Sequence, residues 1–196
     1  MRQRQNKKIV VSAGWYIMVA AMLLLLPIKF VLCWLLSAFL HECFHLICIR
    51  ACGAQVYHIS VGAGGAVIET SPMDPDAEAI CALAGPFSGF LLFLLIRVFP
   101  VLAICACVQT VFNLLPLYPF DGGRVLACML LRIKNEHVSY LIELLLKWTL
   151  LTAFVFLSAI ALIVGLGPVP LMCVLIILIR NWKAKIPCKA AQQIVQ

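Results

Sequence analysis

The chain has 196 residues, of which 64% are hydrophobic and only 12% charged, with a net charge of +7. Soluble domains run near half apolar and a quarter charged, so a mean hydropathy of +1.08 excludes a water-soluble globule, and with it a disordered, fibrous or nucleic-acid-binding chain. A helix needs about 20 apolar residues to cross a bilayer, which leaves room for roughly six crossings. The expectation is an all-α polytopic membrane protein: one membrane-embedded domain over 1–196, carrying a short membrane-associated β-hairpin between its second and third helices.

In chain order, a basic start with Arg2, Arg4, Lys7 and Lys8 precedes an uncharged stretch, Ile9 to Leu26, read as a retained first span because no small-residue cleavage site follows it. Pro27 to Lys29 turns the chain, and Phe30 to Ile49 forms a second span ended by Arg50. From Ala51 to Glu78 hydrophobicity breaks. Here His58–Val61 and Ala66–Glu69, on either side of Gly62-Ala63-Gly64-Gly65, predict a β-hairpin too apolar to lie fully in water. A third span runs from about Ala79 to Ile96, with Gly85 and Gly89 four apart, a spacing that lets membrane helices approach closely. Val101 to Pro119 is the fourth span. Residues 121–140 carry charge of both signs, a fifth span lies around Trp148 to Val164, and Leu171 to Ile179 is a short sixth.

With six crossings both termini share a side. Thirteen of the fifteen basic residues fall on that side and only Lys29 and Arg97 on the other, which predicts cytoplasmic termini. The net charge then reports topology rather than an acidic partner. The ten cysteines form no C-x-x-C pair and interrupt apolar runs, so they read as small buried hydrophobes.

Polar groups inside a span are costly, about 2.5 to 3.5 kcal/mol for an Asp at the helix centre. The second span nevertheless contains His41-Glu42-Cys43-Phe44-His45, an H-E-x-x-H. Residues i and i+4 share a helix face, so both imidazoles can reach one metal, and the intervening Glu is placed to act on water bound there. The plainer alternative is polar residues pairing across a helix bundle. Catalytic zinc sites usually have three protein ligands. Asp121, in Asn113-Leu114-Leu115-Pro116-Leu117-Tyr118-Pro119-Phe120-Asp121-Gly122-Gly123, is the natural third, although an Asp opening a turn before Gly-Gly is the ordinary reading of that segment alone. The second and fourth spans run the same way. His45 lies about 7.5 Å along the helix from Arg50 and Asp121 just precedes Arg124, which puts both motifs near the cytoplasmic leaflet. His58 lies outside both motifs and reads as a hairpin residue, Cys43 and Cys48 flank the histidines without sharing their face, and His137 belongs to a polar loop.

H-E-x-x-H in an early span, N-x-x-P-x-x-P-x-D-G-G in a later one and Ala84-Gly85-Pro86 between them resemble the site-2 protease family of intramembrane zinc metalloproteases. The six-span layout is similar to the branch containing stage IV sporulation protein FB. The resemblance covers roughly residues 30–124, which it would make the catalytic core, with 9–26 and 141–180 as accessory helices. It implies one zinc ion held by His41, His45 and Asp121, Glu42 as catalytic acid/base and Asn113 as a substrate-positioning residue. It further implies a multi-pass enzyme of the bacterial cell membrane that cleaves a membrane-associated protein near the cytoplasmic leaflet and releases a pro-sigma or anti-sigma type regulator, under a regulatory membrane protein. A non-catalytic metal-binding membrane protein, either a transporter or a degenerate protease scaffold, is the alternative. Transport has no need of Glu42 between the histidines.

Overall fold

The structure, a computed structural model, describes residues 8–117, 120–133 and 135–163. The predicted sixth span lies outside them. The chain divides into two units, Met1–Leu114 and Leu115–Gln196.

The first unit opens with a strand. Lys8–Val11 is β1, which pairs in parallel with β2 (Val56–Gly62) and sets Ile9 opposite Ile59 and Val11 opposite Val61. The expected first span therefore begins as a strand over 9–11. Ile9, Val10 and Val11 are β-branched and favour extended backbone, and the partner strand that satisfies them lies some fifty residues away. The helix proper, α1, is Ala13–Leu25, about 20 Å long at 1.5 Å per residue. Leu26 and Pro27, both extended, end it.

Helix α2 (Ile28–Ala51) contains the predicted second span. The predicted hairpin follows, longer than expected: β2 and β3 (Gly65–Thr70) pair antiparallel, with Ile59 opposite Ile68 and a bulge between Val56 and His58. Gly65 has φ +108°, which a residue with a Cβ rarely adopts. The sheet order is β1-β2-β3. Its apolar face packs on the end of α2 and on the next helix through Ile49, Val56 and Cys81, with Leu46, Ala54, Ile59, Ile68 and Met73 around them.

Helix α3 (Pro75–Phe93) starts four residues before the predicted span. Pro75 supplies a preset φ at its first turn, and Asp76 and Glu78 there complement the helix dipole. Helix α4 (Pro100–Asn113) is shorter than the predicted fourth span. The residue before a proline avoids the α conformation, so Pro116 turns Leu115 away from helix, and the expected run to Pro119 stops at Asn113.

Helices α2, α3 and α4 pack on one another. Both predicted close-approach glycines are used, each for a different neighbour. A Cβ on Gly85 would strike the His41 and His45 rings of α2, and one on Gly89 would strike the Thr110 hydroxyl of α4 and come 3.1 Å from the Ala106 carbonyl. A buried polar clasp joins α2 to α4: Ser37 Oγ donates to Gln109 Oε1 at 2.9 Å, and Gln109 Nε2 donates to the Trp34 carbonyl at 2.9 Å.

In the second unit, Asp121–Leu130 forms α5 and Glu136–Ile163 forms α6. The region of mixed charge therefore contains a short helix, and the predicted fifth span is the later part of a longer one. Asn135 starts α6 by accepting the backbone N–H groups of His137 and Val138 on its side-chain oxygen.

Among the described residues two helices, α2 and α3, are long and apolar enough to cross a membrane, and α1 and α4 are shorter apolar helices. Large apolar side chains on them face outward, among them Phe39, Ile47, Phe87 and Phe90, each more than half exposed. Contiguous apolar surface of that kind belongs in lipid rather than water, and the chain reads as a membrane protein.

Candidate metal centre

Both histidines of the second-span motif are buried, one turn apart on the face of α2 that meets α3. Their rings stand edge to face with centroids 4.7 Å apart, and the two Nε2 atoms are 3.1 Å from each other. His45 Nδ1 lies 2.7 Å from the Cys81 carbonyl oxygen. A carbonyl can only accept, so Nδ1 carries the proton and the Nε2 lone pair points toward His41. Fixing the tautomer through the far nitrogen is how proteins prepare a ligating imidazole.

The other side of His41 meets Asn113, the last residue of α4, whose amide nitrogen lies 3.4 Å from His41 Nε2. An amide N–H can only donate, which again leaves Nε2 as an acceptor. Two imidazole lone pairs facing each other repel unless a proton or a cation lies between them. A tetrahedral zinc with bonds of about 2.05 Å would hold two nitrogens about 3.3 Å apart. The observed spacing is close to that value, so the histidine pair fits a zinc ion.

Gly85 is what makes room. A Cβ there would lie 2.6 Å from both Cε1 and Nε2 of His41 and closer still to His45 Nε2. The glycine of Ala84-Gly85-Pro86 thus leaves space at the nitrogen ends of both rings. The sequence marks this glycine through its spacing to Gly89 and through Ala84-Gly85-Pro86; its contact with the histidines required three dimensions.

Glu42 follows His41 on α2 and is half-buried. In the second unit, Asp121 is the first residue of α5 and is buried, its carboxylate 3.7 Å from the Arg124 guanidinium. The sequence places Asp121 at the inner end of the fourth span. It opens a separate helix instead, and its charge sits at a helix N-terminus, where anions are favoured. His58 lies in β2 opposite Glu69, as a hairpin residue.

No family model matches the chain. No curated protein matches it. Among solved structures it is similar to the site-2 protease from Methanocaldococcus jannaschii, with a TM-score of 0.66 and 17% sequence identity over 95% of this chain and 96% of that one. At that identity the likeness is one of fold: the chain is built on the architecture of a site-2 protease.

Proposed function

We propose that the protein is an intramembrane zinc endopeptidase. One observation carries the reading: in a site-2 protease fold, the H-E-x-x-H histidines aim two ring nitrogens at one point, over a glycine that a side chain would obstruct. In this reading His41, His45 and Asp121 hold a single zinc ion. Bound there, zinc would supply Lewis-acid polarisation of water and of the scissile carbonyl. Glu42 would accept a proton from the attacking water and return it to the leaving amine. Cys81 keeps His45 oriented through its carbonyl, and Asn113, beside His41, orients the substrate backbone.

A peptide bond inside a helix has its carbonyl and amide occupied, so the substrate must be locally extended before attack. In the three-stranded sheet, β3 is an edge strand, and an edge can pair with an extended segment. The substrate in this account is a membrane-associated protein cut near the cytoplasmic leaflet. The resemblance to the stage IV sporulation protein FB branch points to release of a pro-sigma or anti-sigma type regulator in a bacterial cell membrane, under a regulatory membrane protein.

The test is cleavage by the full chain reconstituted in vesicles with a single-span substrate. Cleavage should stop on chelation and return with zinc, and His41→Ala should lose one equivalent of zinc together with all activity. Metal flux across the vesicles without proteolysis would instead favour a metal-binding transporter.

A further inference from the structure

Three of the ten cysteines gather outside the histidine site. The sulfurs of Cys48, Cys52 and Cys81 all lie within 4.8 Å of one another, and those of Cys81 and Cys52 are 3.8 Å apart. Cys48 stands in the last turn of α2 and Cys52 just past it, one helical repeat further on; Cys81 comes from α3. Cys81 is buried, Cys48 half-buried and Cys52 exposed.

We propose that these thiols form a second metal site, which takes a thiophilic d10 cation, Zn2+ or Cu+, on three thiolates. A zinc–thiolate bond of about 2.3 Å places two sulfurs of a tetrahedral or trigonal centre about 3.8–4.0 Å apart, the separation seen between Cys81 and Cys52. The donor set is all sulfur, which selects soft cations and rejects magnesium and calcium. Exposed Cys52 gives the ion an entry path and leaves a fourth position open to water. On binding, the three thiols each release a proton and become thiolates. A disulfide would need two sulfurs at about 2.05 Å and would leave the third unused.

The place of the site in the fold gives it a consequence. Cys81 offers its sulfur to the cluster and its carbonyl to His45 Nδ1. A cation bound by the thiols therefore ties the end of α2 to α3 through the residue that orients His45. The two sites remain chemically separate, and one can fail without the other.

The full chain, purified in detergent under reductant, is titrated with Cd2+, whose thiolate complexes absorb in the near ultraviolet where imidazole complexes do not. The site predicts a saturable thiolate band at one Cd2+ per chain, retained in the His41→Ala/His45→Ala variant. It predicts loss of the band in Cys48→Ser/Cys52→Ser, and also in Cys52→Ser alone, a change at an exposed position that leaves the helical spectrum intact. Cu+, which thiolates bind more tightly still, should displace Cd2+ when added in excess. The proposal is overturned by a fully reduced wild-type chain without the band, by a band that Cys52→Ser leaves undiminished, or by Cd2+ that excess Cu+ fails to displace. Retention of the band in the double histidine variant, whatever happens to proteolysis, separates this site from the catalytic one.

Discussion

At the residue scale, the candidate centre depends as much on an absent side chain as on those present. His41 and His45 supply nitrogens, but Gly85 supplies the space in front of them. Gly85→Ala should therefore strike the site harder than the fold. Overpacking of one methyl costs about 1–3 kcal/mol, whereas the ring displacement it forces would separate the two Nε2 atoms. The expected outcome is a helical, monodisperse protein that binds no zinc at the histidine pair and does not cleave, checked by metal analysis and circular dichroism together. Zinc retained at full stoichiometry in Gly85→Ala would show that the rings do not converge there. The histidine pair itself is legible in the sequence, because i and i+4 on a helix fix their common face. The carbonyl that sets the tautomer is not, since Cys81 lies 36 residues away and acts through its backbone. The thiol cluster is half legible: Cys48 and Cys52 share a helix face by spacing, but nothing in sequence brings Cys81 to them.

At the scale of elements, local signals read well and long-range ones poorly. The hairpin announces itself through β-compatible runs around glycines, and α2 and α3 through long, mostly apolar runs. β1 gives no such signal, because its partner is β2 and an apolar run of β-branched residues looks the same at the start of a span. The length of α4 is set by Pro116, a local rule that prevails over hydropathy. The sheet carries its own prediction. Adjacent residues of a strand send their N–H groups to opposite sides, so of Val67 and Ile68 one bonds toward β2 and the other toward the open edge of β3. Val67→Pro and Ile68→Pro should both reduce cleavage. One does so by breaking the hairpin, the other by removing an edge donor while the hairpin stays protected from hydrogen exchange. Undiminished cleavage in both variants would remove the sheet edge from substrate binding.

At the scale of the whole molecule, a chain with 12% charged residues spends very few of them inside its apolar segments. The cost of burying ionisable groups in a membrane makes each one a candidate for function, and Glu42 lies well inside α2, whereas Asp76 and Glu78 stand at the first turn of α3. The basic residues report orientation: a C-terminal fluorescent protein should fluoresce and a C-terminal alkaline phosphatase should be inactive if both termini are cytoplasmic, and the reverse pattern would invert the topology. Proteolysis requires Glu42 as a proton carrier beside the metal, whereas metal binding alone serves a transporter or a scaffold equally well. Its most direct test is the cleavage rate of reconstituted Glu42→Gln, measured together with its zinc content. The predicted result is a rate lower by about 10²–10⁴-fold, the contribution of general acid–base catalysis, with zinc undiminished. Cleavage at the wild-type rate by zinc-loaded Glu42→Gln would contradict it.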